Sequence, residues 1–272
     1  MELKATQVEA DGPVATVWLH RPHRHNAWTG RMHTEYRWLL GQLDRDPAVR
    51  AIVVTGTPPA FCVGGDSDAL AGHAERGGYD SGLPAEREDP VDGIRPELDA
   101  DFAFQLAMRT PVIAAVNGAA AGVGLAVALF ADLRFGAANA KLTTAAPKLG
   151  LPAEYGMSWI LPRLVGLARA NDLLLSGRVV TPAETESWGM WNGVAPDGEA
   201  ALAAALGYGR LLATTAGPNA VAMTKRQIAD DVLRHDPAAS IADSLRLLNE
   251  SMATAEYREG VAALRERRQP RW

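Results

Sequence analysis

The stretch TPVIAAVNGAAAGVGLAVALFAD, residues 110–132, is the segment that most clearly indicates the architecture of this chain. It opens with an apolar, β-branched run, breaks at Asn117-Gly118 and continues through small residues into a second apolar run. Its apolar portion approaches the length of a membrane span, but Asn-Gly and the glycines at 122 and 124 argue against one continuous helix. A strand, a turn and a buried helix fit this pattern better.

The turn in this stretch predicts a binding site made of backbone groups. A helix that begins at such a turn directs its first amide N–H groups, and the positive end of its dipole, toward whatever occupies the turn. An oxyanion is therefore the ligand that this stretch favours.

Composition and charge narrow the class of protein. The 272-residue chain is 47% hydrophobic and 22% charged, which is typical of a globular protein with a large core. The net charge of -5 disfavours a nucleic-acid surface, which needs clustered Lys and Arg. The single cysteine, Cys62, excludes an internal disulfide and a multi-cysteine metal cage. No secretory signal and no membrane span are visible, so we expect a cytoplasmic protein.

The N-terminal half of the chain alternates between two kinds of hydrophobic pattern. Short β-branched runs at 14–19, 51–55 and 112–116 predict strands. Residues 29–43 carry apolar side chains at helical spacing and predict a helix between the first two strands. Strands that alternate with helices imply crossover connections, so we predict an α/β fold with a largely parallel sheet.

The C-terminal half of the chain is predicted to be mainly helical from residue 161 onward. The helical segments are 167–176, 182–190, 199–214, 217–233, 238–252 and 256–268. We therefore divide the chain into an α/β core, residues 1–200, and a helical region, residues 201–272. Residues 71–96 are rich in Gly, Pro and charge without an apolar period, which predicts a long loop, either a lid or a passive surface loop.

Four segments in order resemble the enoyl-CoA hydratase/isomerase (crotonase) superfamily. They are RPHRHNAW (21–28), AIVVTGTPPAFCVGGDSDAL (51–70), TPVIAAVNGAAAGVGLAVALFAD (110–132) and PKLGLPAEYGMSWILPRLVG (147–166), and EGVAALRERRQPRW (259–272) resembles the family's C-terminal end. The resemblance implies a spiral of ββα units with a C-terminal helical region that makes trimer contacts, as a homotrimer or a dimer of trimers. It also implies an acyl-CoA thioester as substrate, with no cofactor beyond that coenzyme A.

The resemblance assigns two backbone amides to the substrate carbonyl. In this family two N–H groups hold the thioester oxygen and stabilise the negative charge of an enolate. Matching the motifs places one donor at Gly65 and the other at Val123, and Gly64 permits a close approach of the backbone. Removing one such donor typically costs about 10²- to 10³-fold in rate.

The chain departs from the family at both positions that carry acids in a typical hydratase. The motif match puts Ala126 at the first glutamate and Ala146 at the second. General acid–base catalysis contributes about 10²- to 10⁴-fold, and a methyl group cannot transfer a proton. We therefore expect ordinary two-glutamate hydration to be very poor.

One carboxylate remains nearby, Glu154 in GLPAEYGMSW. Its position resembles that of the catalytic aspartate of dienoyl-CoA isomerases and of the nucleophilic aspartate of chlorobenzoyl-CoA dehalogenases. Beside an apolar acyl pocket its charged form would be disfavoured, which suits a proton carrier near neutral pH. The alternative interpretation is a first-turn acid of a helix that begins near Pro152.

Several other polar residues are candidates for contacts with coenzyme A. The loop around Arg24 and His25 contains a second arginine and two further histidines, and it favours a phosphate contact over a metal site. Gly64 and Asp66 flank the first donor, and Asp66 alternatively caps a helix. Arg267 matches a family lysine that reaches a neighbouring subunit's coenzyme A, or else lies on a solvated helix face. No metal site is expected.

Trp159 is assigned to the acyl pocket, with a core position as the alternative. Isomerisation is the favoured reaction because it needs one acid/base that moves a proton between two carbons. Hydration through Glu154, hydrolysis, decarboxylation and carbon–carbon cleavage remain open alternatives, as does an acyl-CoA binder without significant catalysis.

Overall fold

The structure is a computed structural model that describes residues 1–68, 95–234 and 236–272. All but the last two positions of the predicted 71–96 loop lie outside the described residues. The strands within the described residues are β1 Thr6–Asp11, β2 Val14–Leu19, β3 Ala51–Gly56, β4 Ala60–Cys62, β5 Val112–Val116, β6 Ala119–Ala121, β7 Leu133–Ala137, β8 Leu142–Thr143 and β9 Gly193–Ala195.

The helices follow the strands of the core and then dominate the C-terminal region. In the described ranges they are α1 Gly30–Arg45, α2 Phe104–Ala107, α3 Val123–Leu129, α4 Met157–Val165, α5 Leu167–Ser176, α6 Pro182–Thr185, α7 Gly198–Thr215, α8 Pro218–Val232, α9 Pro237–Met252 and α10 Ala255–Glu266. Short 3-10 turns lie at Pro22–Arg24, Ala146–Leu149 and Glu186–Trp188.

Two sheets are built by strands that alternate between them. The large sheet has the order β1-β2-β3-β5-β7-β9, in which only the β1-β2 pair is antiparallel. The small sheet has the order β4-β6-β8 and is parallel. From β3 onward, successive strands alternate between the large and the small sheet, and the predicted α/β spiral of ββα units with a mainly parallel sheet is confirmed.

The central strands of the large sheet are buried on both faces. Every residue of β3 and β5 is buried, which explains why they appear in the sequence as continuous apolar runs rather than alternating ones. Helix α7 covers the outer face, where a Cβ at Gly209 would lie 3.3 Å from the Ala51 side chain. The predicted boundary between the core and the helical region, at residue 200, falls inside α7, and α7 packs on the large sheet. The division of the chain into these two regions stays a prediction.

Most predicted elements match the structure closely, but the sequence patterns did not predict β1, the small sheet, β9, α2 or α4, and one predicted helix is divided. Residues 182–190 form one short helix, α6, and a 3-10 turn instead of a continuous helix. Strand β9 lies inside the region predicted to be mainly helical and completes the edge of the large sheet. A three-residue strand is too short to show a period of two, which is why the pattern missed it. Within the described ranges, no helix has both the length and the apolar character needed to cross a membrane.

A buried ion pair connects the C-terminal helices to the core. Lys225 on α8 places its Nζ 2.6 Å from Asp132 Oδ2 and donates to the Thr110 carbonyl at 3.0 Å. The same carboxylate oxygen accepts the N–H of Val112 at 2.7 Å, at the start of β5. One cluster of charge-assisted hydrogen bonds thus holds α8 against the strand that leads into the Asn117-Gly118 turn.

We predict that Lys225→Met lowers the free energy of unfolding by about 2 kcal/mol, because it leaves the Asp132 carboxylate without its cation in a poorly hydrated position. Urea denaturation followed by circular dichroism measures this loss. Arg246→Met is the matched control: Arg246 pairs with Asp243 and Glu250 at the surface of α9, so its loss should change stability far less. Equal losses in the two variants would contradict the role given to Lys225.

Candidate active site

Two glycine-containing loops meet at one end of the small sheet. Strands β4 and β6 are parallel neighbours, so the loops that follow them leave the sheet side by side. A Cβ at Gly124 would lie only 2.1 Å from the carbonyl oxygen of Cys62, and a Cβ at Gly64 would lie 3.5 Å from that of Ala121. Gly64 also has a φ of +107°, which a side chain rarely adopts. The first residues of α3 therefore pack directly on the loop that follows β4.

The amides of Gly65 and Val123 lie in these two loops. The backbone of Trp28 holds the first loop on both sides of Gly65. The backbone N–H of Trp28 donates to the Gly64 carbonyl at 2.8 Å, and the Trp28 carbonyl accepts the backbone N–H of Asp66 at 2.9 Å. Val123 is the first residue of α3, so no helical carbonyl lies one turn before it to accept its backbone N–H. Within the described residues of the chain, neither the Gly65 amide nor the Val123 amide donates to another protein group.

The carboxylate of Asp66 anchors the first loop. It is buried and accepts hydrogen bonds from Arg21 at 2.8 Å, Arg24 at 3.2 Å and the backbone N–H of Asp68 at 3.0 Å. Burial alone would raise the pKa of Asp66, but the hydrogen bonds from Arg21, Asp68 and Arg24 hold that pKa below its ordinary value. The residue next to Gly65 is therefore a charged, fixed carboxylate at neutral pH.

The residues predicted to contact coenzyme A lie partly in this cluster. Arg24 also pairs with the exposed Asp68 at 2.6 Å, so it is engaged by carboxylates and still partly exposed. His25 is exposed, and its carbonyl accepts the N–H of Val63 at 3.3 Å. Arg267 is an exposed residue that ends α10 in a left-handed conformation. Their contact with coenzyme A stays a prediction.

The histidine-rich loop does not assemble a metal site in the described residues. His20 faces Thr57, with its Nδ1 3.0 Å from the Thr57 hydroxyl. Across the described ranges, no group of three or more His, Cys, Asp or Glu side chains is arranged to hold a metal ion.

Glu154 lies in a sharp turn just before α4. The helix begins at Met157 with Gly156 as its N-cap, and both Tyr155 and Gly156 have positive φ, at 51° and 68°. The interpretation of Glu154 as a first-turn acid of a helix that begins near Pro152 is therefore wrong. The turn places the carboxylate ahead of the helix and not on it.

The surroundings of Glu154 suit a proton carrier. The side chain is half-buried, and no hydrogen-bond or ion-pair partner for its carboxylate lies in the described residues. Burial raises the pKa of Glu154 above its ordinary value. By contrast, Ala126 on α3 and Ala146 in a 3-10 turn are buried and carry no ionisable group. Of these three positions, Glu154 alone supplies a carboxylate.

An aromatic cluster connects the two halves of the site. Its rings are Trp28, Phe102 and Tyr155, with centroids 5.3 Å apart for Trp28–Phe102 and 5.7 Å for Phe102–Tyr155. Trp28 borders the Gly65 loop, and Tyr155 follows Glu154. No sequence pattern gave these residues a role, although Trp28 ends the motif RPHRHNAW, because nothing local indicates that Phe102 lies between them.

Trp159 lies on α4 and packs against the core. Its ring stacks on Phe130 with centroids 6.3 Å apart and planes 6° from parallel, and the Arg163 guanidinium lies 4.0 Å from the ring centroid. This position agrees with the core alternative, while a contact with an acyl group stays a prediction.

Comparison with known proteins gives consistent matches over the full chain. The family model described as enoyl-CoA hydratase/isomerase matches residues 9–272. The 1,2-epoxyphenylacetyl-CoA isomerase of Escherichia coli is 34% identical, over 100% of this chain and 98% of that protein. A probable enoyl-CoA hydratase of Mycobacterium tuberculosis is 30% identical, over 100% and 99%.

Solved structures of similar proteins superpose well on this chain. A probable enoyl-CoA hydratase/isomerase from Mycobacterium abscessus has a TM-score of 0.84 at 34% identity and covers 98% of each chain. A putative enoyl-CoA hydratase from Streptomyces coelicolor has a TM-score of 0.83 at 32% identity, over 100% of this chain and 94% of that chain. These similarities agree with the alternation of strands between two sheets.

We predict that Asp66→Asn lowers the free energy of unfolding at pH 7 by about 2 kcal/mol, because the hydrogen bonds to a charged acceptor are weakened. A carboxyl group whose pKa is lowered by folding stabilises the fold above its ordinary pKa, and this contribution is lost as the pH falls through the folded-state pKa. The difference from wild type should therefore shrink as the pH is lowered from 7 toward about 3. Urea denaturation over this pH range measures it.

Asp68→Asn serves as the matched control in the same loop, because the Asp68 side chain is 86% exposed and should contribute little. A pH-independent loss in Asp66→Asn would show that the charge of Asp66 is unimportant for the fold.

Proposed function

The chain belongs to the enoyl-CoA hydratase/isomerase family of acyl-CoA enzymes, and we propose that it moves a carbon–carbon double bond of an acyl-CoA substrate, with Glu154 as acid and base. One observation carries this proposal. Glu154 is a half-buried carboxylate with a raised pKa, and the two positions at which we expect a hydratase's glutamates hold Ala126 and Ala146.

We assign the amides of Gly65 and Val123 to the thioester oxygen. The assignment is supported by the close packing of their loops and by the lack of a protein acceptor for either N–H group in the described residues. Backbone donors held in place by packing stabilise charge that develops on oxygen without having to reorganise. They would favour the enolate form of the substrate over its ground state.

The proton transfers follow from one carboxylate and one oxyanion site. The Glu154 carboxylate removes a proton from the carbon next to the double bond, and the electron pair shifts through the conjugated system to the thioester oxygen. The neutral carboxyl group then returns the proton to the other end of that system, and the electron pair moves back from oxygen. Isomerisation needs no activated water, so the loss of both glutamates does not prevent it.

The coenzyme A portion and the assembly are further elements of the proposal. Arg24, His25, Gly64 and Asp66 would border the nucleotide end in one subunit, and Arg267 would reach it from a neighbour. Helices α9 and α10 expose apolar side chains that support an interface between copies, in a homotrimer or a dimer of trimers; they are Ile241, Leu245, Leu248 and Leu264. We propose a cytoplasmic enzyme with no cofactor beyond the coenzyme A of its substrate, and we keep Trp159 as a candidate for the acyl pocket.

Two alternatives have specific support. An acyl-CoA binder without turnover is favoured by the two buried alanines at 126 and 146. Hydration through Glu154 is favoured by similar proteins that are named hydratases. The reactions differ in the mass of their products, so they can be separated directly.

We predict that Glu154→Gln lowers kcat by at least about 10²-fold, because the amide cannot accept the proton, while the Kd for the substrate stays within a few-fold. In the wild type, kcat should fall as the pH drops through the pKa of Glu154, which burial raises above the ordinary value of a glutamate, because the base must be deprotonated. Initial-rate assays over a pH series measure the kcat of the variant and the pH dependence of the wild-type kcat. Glu186→Gln, at an exposed acid outside the site, is the control and should keep the wild-type profile. Full activity in Glu154→Gln would exclude the assignment.

We also predict that the wild type incorporates deuterium from deuterated water without gaining the mass of water, when it is incubated with 2-enoyl-, 3-enoyl- and dienoyl-CoA thioesters, because the half-buried Glu154 carboxyl group can exchange its proton with solvent before returning it. Mass spectrometry of the products measures this. Addition of water would support the hydratase alternative. Chromatographic separation of the products detects an isomer in which the original proton has been returned. Tight binding of the thioesters with no deuterium, no added water and no new isomer would support the binder.

A further inference from the structure

Two buried side chains hold the C-terminal end of α3 from outside the helix. From β7, the Arg134 guanidinium donates to the carbonyl of Leu129, the last residue of α3, at 3.2 Å, and to that of Ala131. From α2, the Gln105 side-chain amide donates to the carbonyl of Val127 at 3.3 Å. The last four carbonyls of a helix have no partner within it, so these donors satisfy two groups of α3 that would otherwise be buried and unpaired.

Both side chains are fixed by further hydrogen bonds. Gln105 is fully buried, donates also to the Phe102 carbonyl at 3.2 Å and accepts the Tyr36 hydroxyl at 2.8 Å. Arg134 is buried as well, and its Nε donates to the carbonyl of Met190 at 2.7 Å. Neither side chain can therefore leave α3 without breaking hydrogen bonds elsewhere in the core.

The charge of Arg134 is placed in an unusual way for a buried arginine. Within the described residues its guanidinium donates only to backbone carbonyls, whereas buried charges are ordinarily paired with an opposite charge. The neighbouring Asp132 is paired with Lys225, whose Nζ lies 2.6 Å from Asp132 Oδ2. Burial lowers the pKa of Arg134 to about 10, so the side chain is still a cation at neutral pH. A cation beside the last carbonyls of a helix interacts favourably with the helix dipole.

Helix α3 connects this anchored end to the proposed oxyanion site. The helix has seven residues, all of them buried, and is therefore about 10 Å long. Its other end carries the Val123 amide and packs at Gly124 against the Cys62 carbonyl. Because a helix of two turns is short and stiff, a shift at the anchored end displaces that amide.

We propose that Arg134 is a positioning residue of the oxyanion site, which holds the end of α3 and thereby keeps the Val123 amide directed at the thioester oxygen. The inference rests on the proposed function, which assigns that amide to the substrate. Arg134 acts through the helix and does not touch the substrate. A hydrogen bond weakens steeply as its geometry departs from linear, so a displaced amide stabilises the developing charge less.

Infrared spectroscopy of a bound thioester tests the proposal directly. The full-length wild type is mixed with hexanoyl-CoA that is isotope-labelled at its carbonyl carbon, and the carbonyl stretch is compared between the free and the bound ligand. Hydrogen bonds to the carbonyl oxygen weaken the C=O bond, so we expect a lower stretching frequency on binding. The saturated acyl group does not isomerise, and this measurement does not depend on Glu154.

Two variants of Arg134 should change the carbonyl stretch. Arg134→Met should return the stretch toward that of free hexanoyl-CoA and lower kcat by about 10- to 10²-fold, less than the removal of a donor outright. The Kd for hexanoyl-CoA should stay within a few-fold, because the binding surface keeps its side chains. Arg134→Lys keeps the charge but not the planar fork of donors that reaches both Leu129 and Met190, so it should give an intermediate stretch.

Glu35→Gln is the control for a general loss of stability. The buried Glu35 carboxylate accepts the backbone N–H groups of Lys4, Ala5 and Thr6, so this variant should destabilise the fold through the N-terminal segment. It should keep the wild-type carbonyl stretch and kcat. Circular dichroism shows which variants are folded.

The outcomes distinguish this inference from the proposed function. A wild type that does not bind hexanoyl-CoA, or whose bound carbonyl stretch is not lowered, would overturn the assignment of Gly65 and Val123 and this inference with it. A lowered stretch in the wild type that is unchanged in folded Arg134→Met would overturn the role of Arg134 alone.

Other results decide the cases in which a variant is unstable. If Arg134→Met does not fold, an unchanged stretch in Arg134→Lys overturns the role of Arg134. If neither folds, an unchanged stretch in Gln105→Met, which removes the other donor to the end of α3, overturns the inference. A stretch that moves equally in Glu35→Gln would show that stability alone governs it, and this too would overturn the positioning role.

Discussion

The close approach of the backbone at Gly124 to the carbonyl of Cys62 is the steric condition on which the geometry of the site is built. A side chain at position 124 would put its Cβ 2.1 Å from that oxygen, a distance that no packed structure tolerates. Because this position is glycine, α3 begins directly against the loop that follows β4. The small sheet can then bring two backbone loops together at one end. Gly118 is constrained in the same way just before β6, where a Cβ would lie 2.7 Å from the Pro59 carbonyl.

This packing is independent of the side chains at Ala126 and Ala146, the two positions at which we expect the glutamates of a hydratase. The proposed oxyanion donors are backbone groups, so their positions depend on loop shape and not on the side chains at 126 and 146. Ala126 and Ala146 fill the core as small residues without disturbing either loop. The remaining carboxylate, Glu154, lies on a separate turn, and its two neighbours adopt positive φ so that the turn can end before α4 begins. The proposed donors and the proposed proton carrier are therefore held by separate parts of the chain.

Two sets of side chains surround these backbone groups and have different roles. Asp66, bound by Arg21 and Arg24, fixes the loop of the first donor through charge. Trp28 and Phe102 fix the other side of the same loop through ring packing and extend it toward Glu154. One set therefore acts through charge and the other through ring packing.

Local sequence patterns were sufficient to predict the order of most elements, the parallel character of the large sheet, the glycine loops and the family. The β-branched run of β5 and the Asn117-Gly118 turn that follows it are examples, because each is visible within a few consecutive residues. The small sheet, the edge strand β9, the turn that carries Glu154 and the aromatic cluster of Trp28, Phe102 and Tyr155 became visible only in the tertiary structure. Strands of two or three residues are too short to show a period, and Trp28, Phe102 and Tyr155 are far apart in the chain. Their contacts depend on how distant segments pack, which no local pattern records.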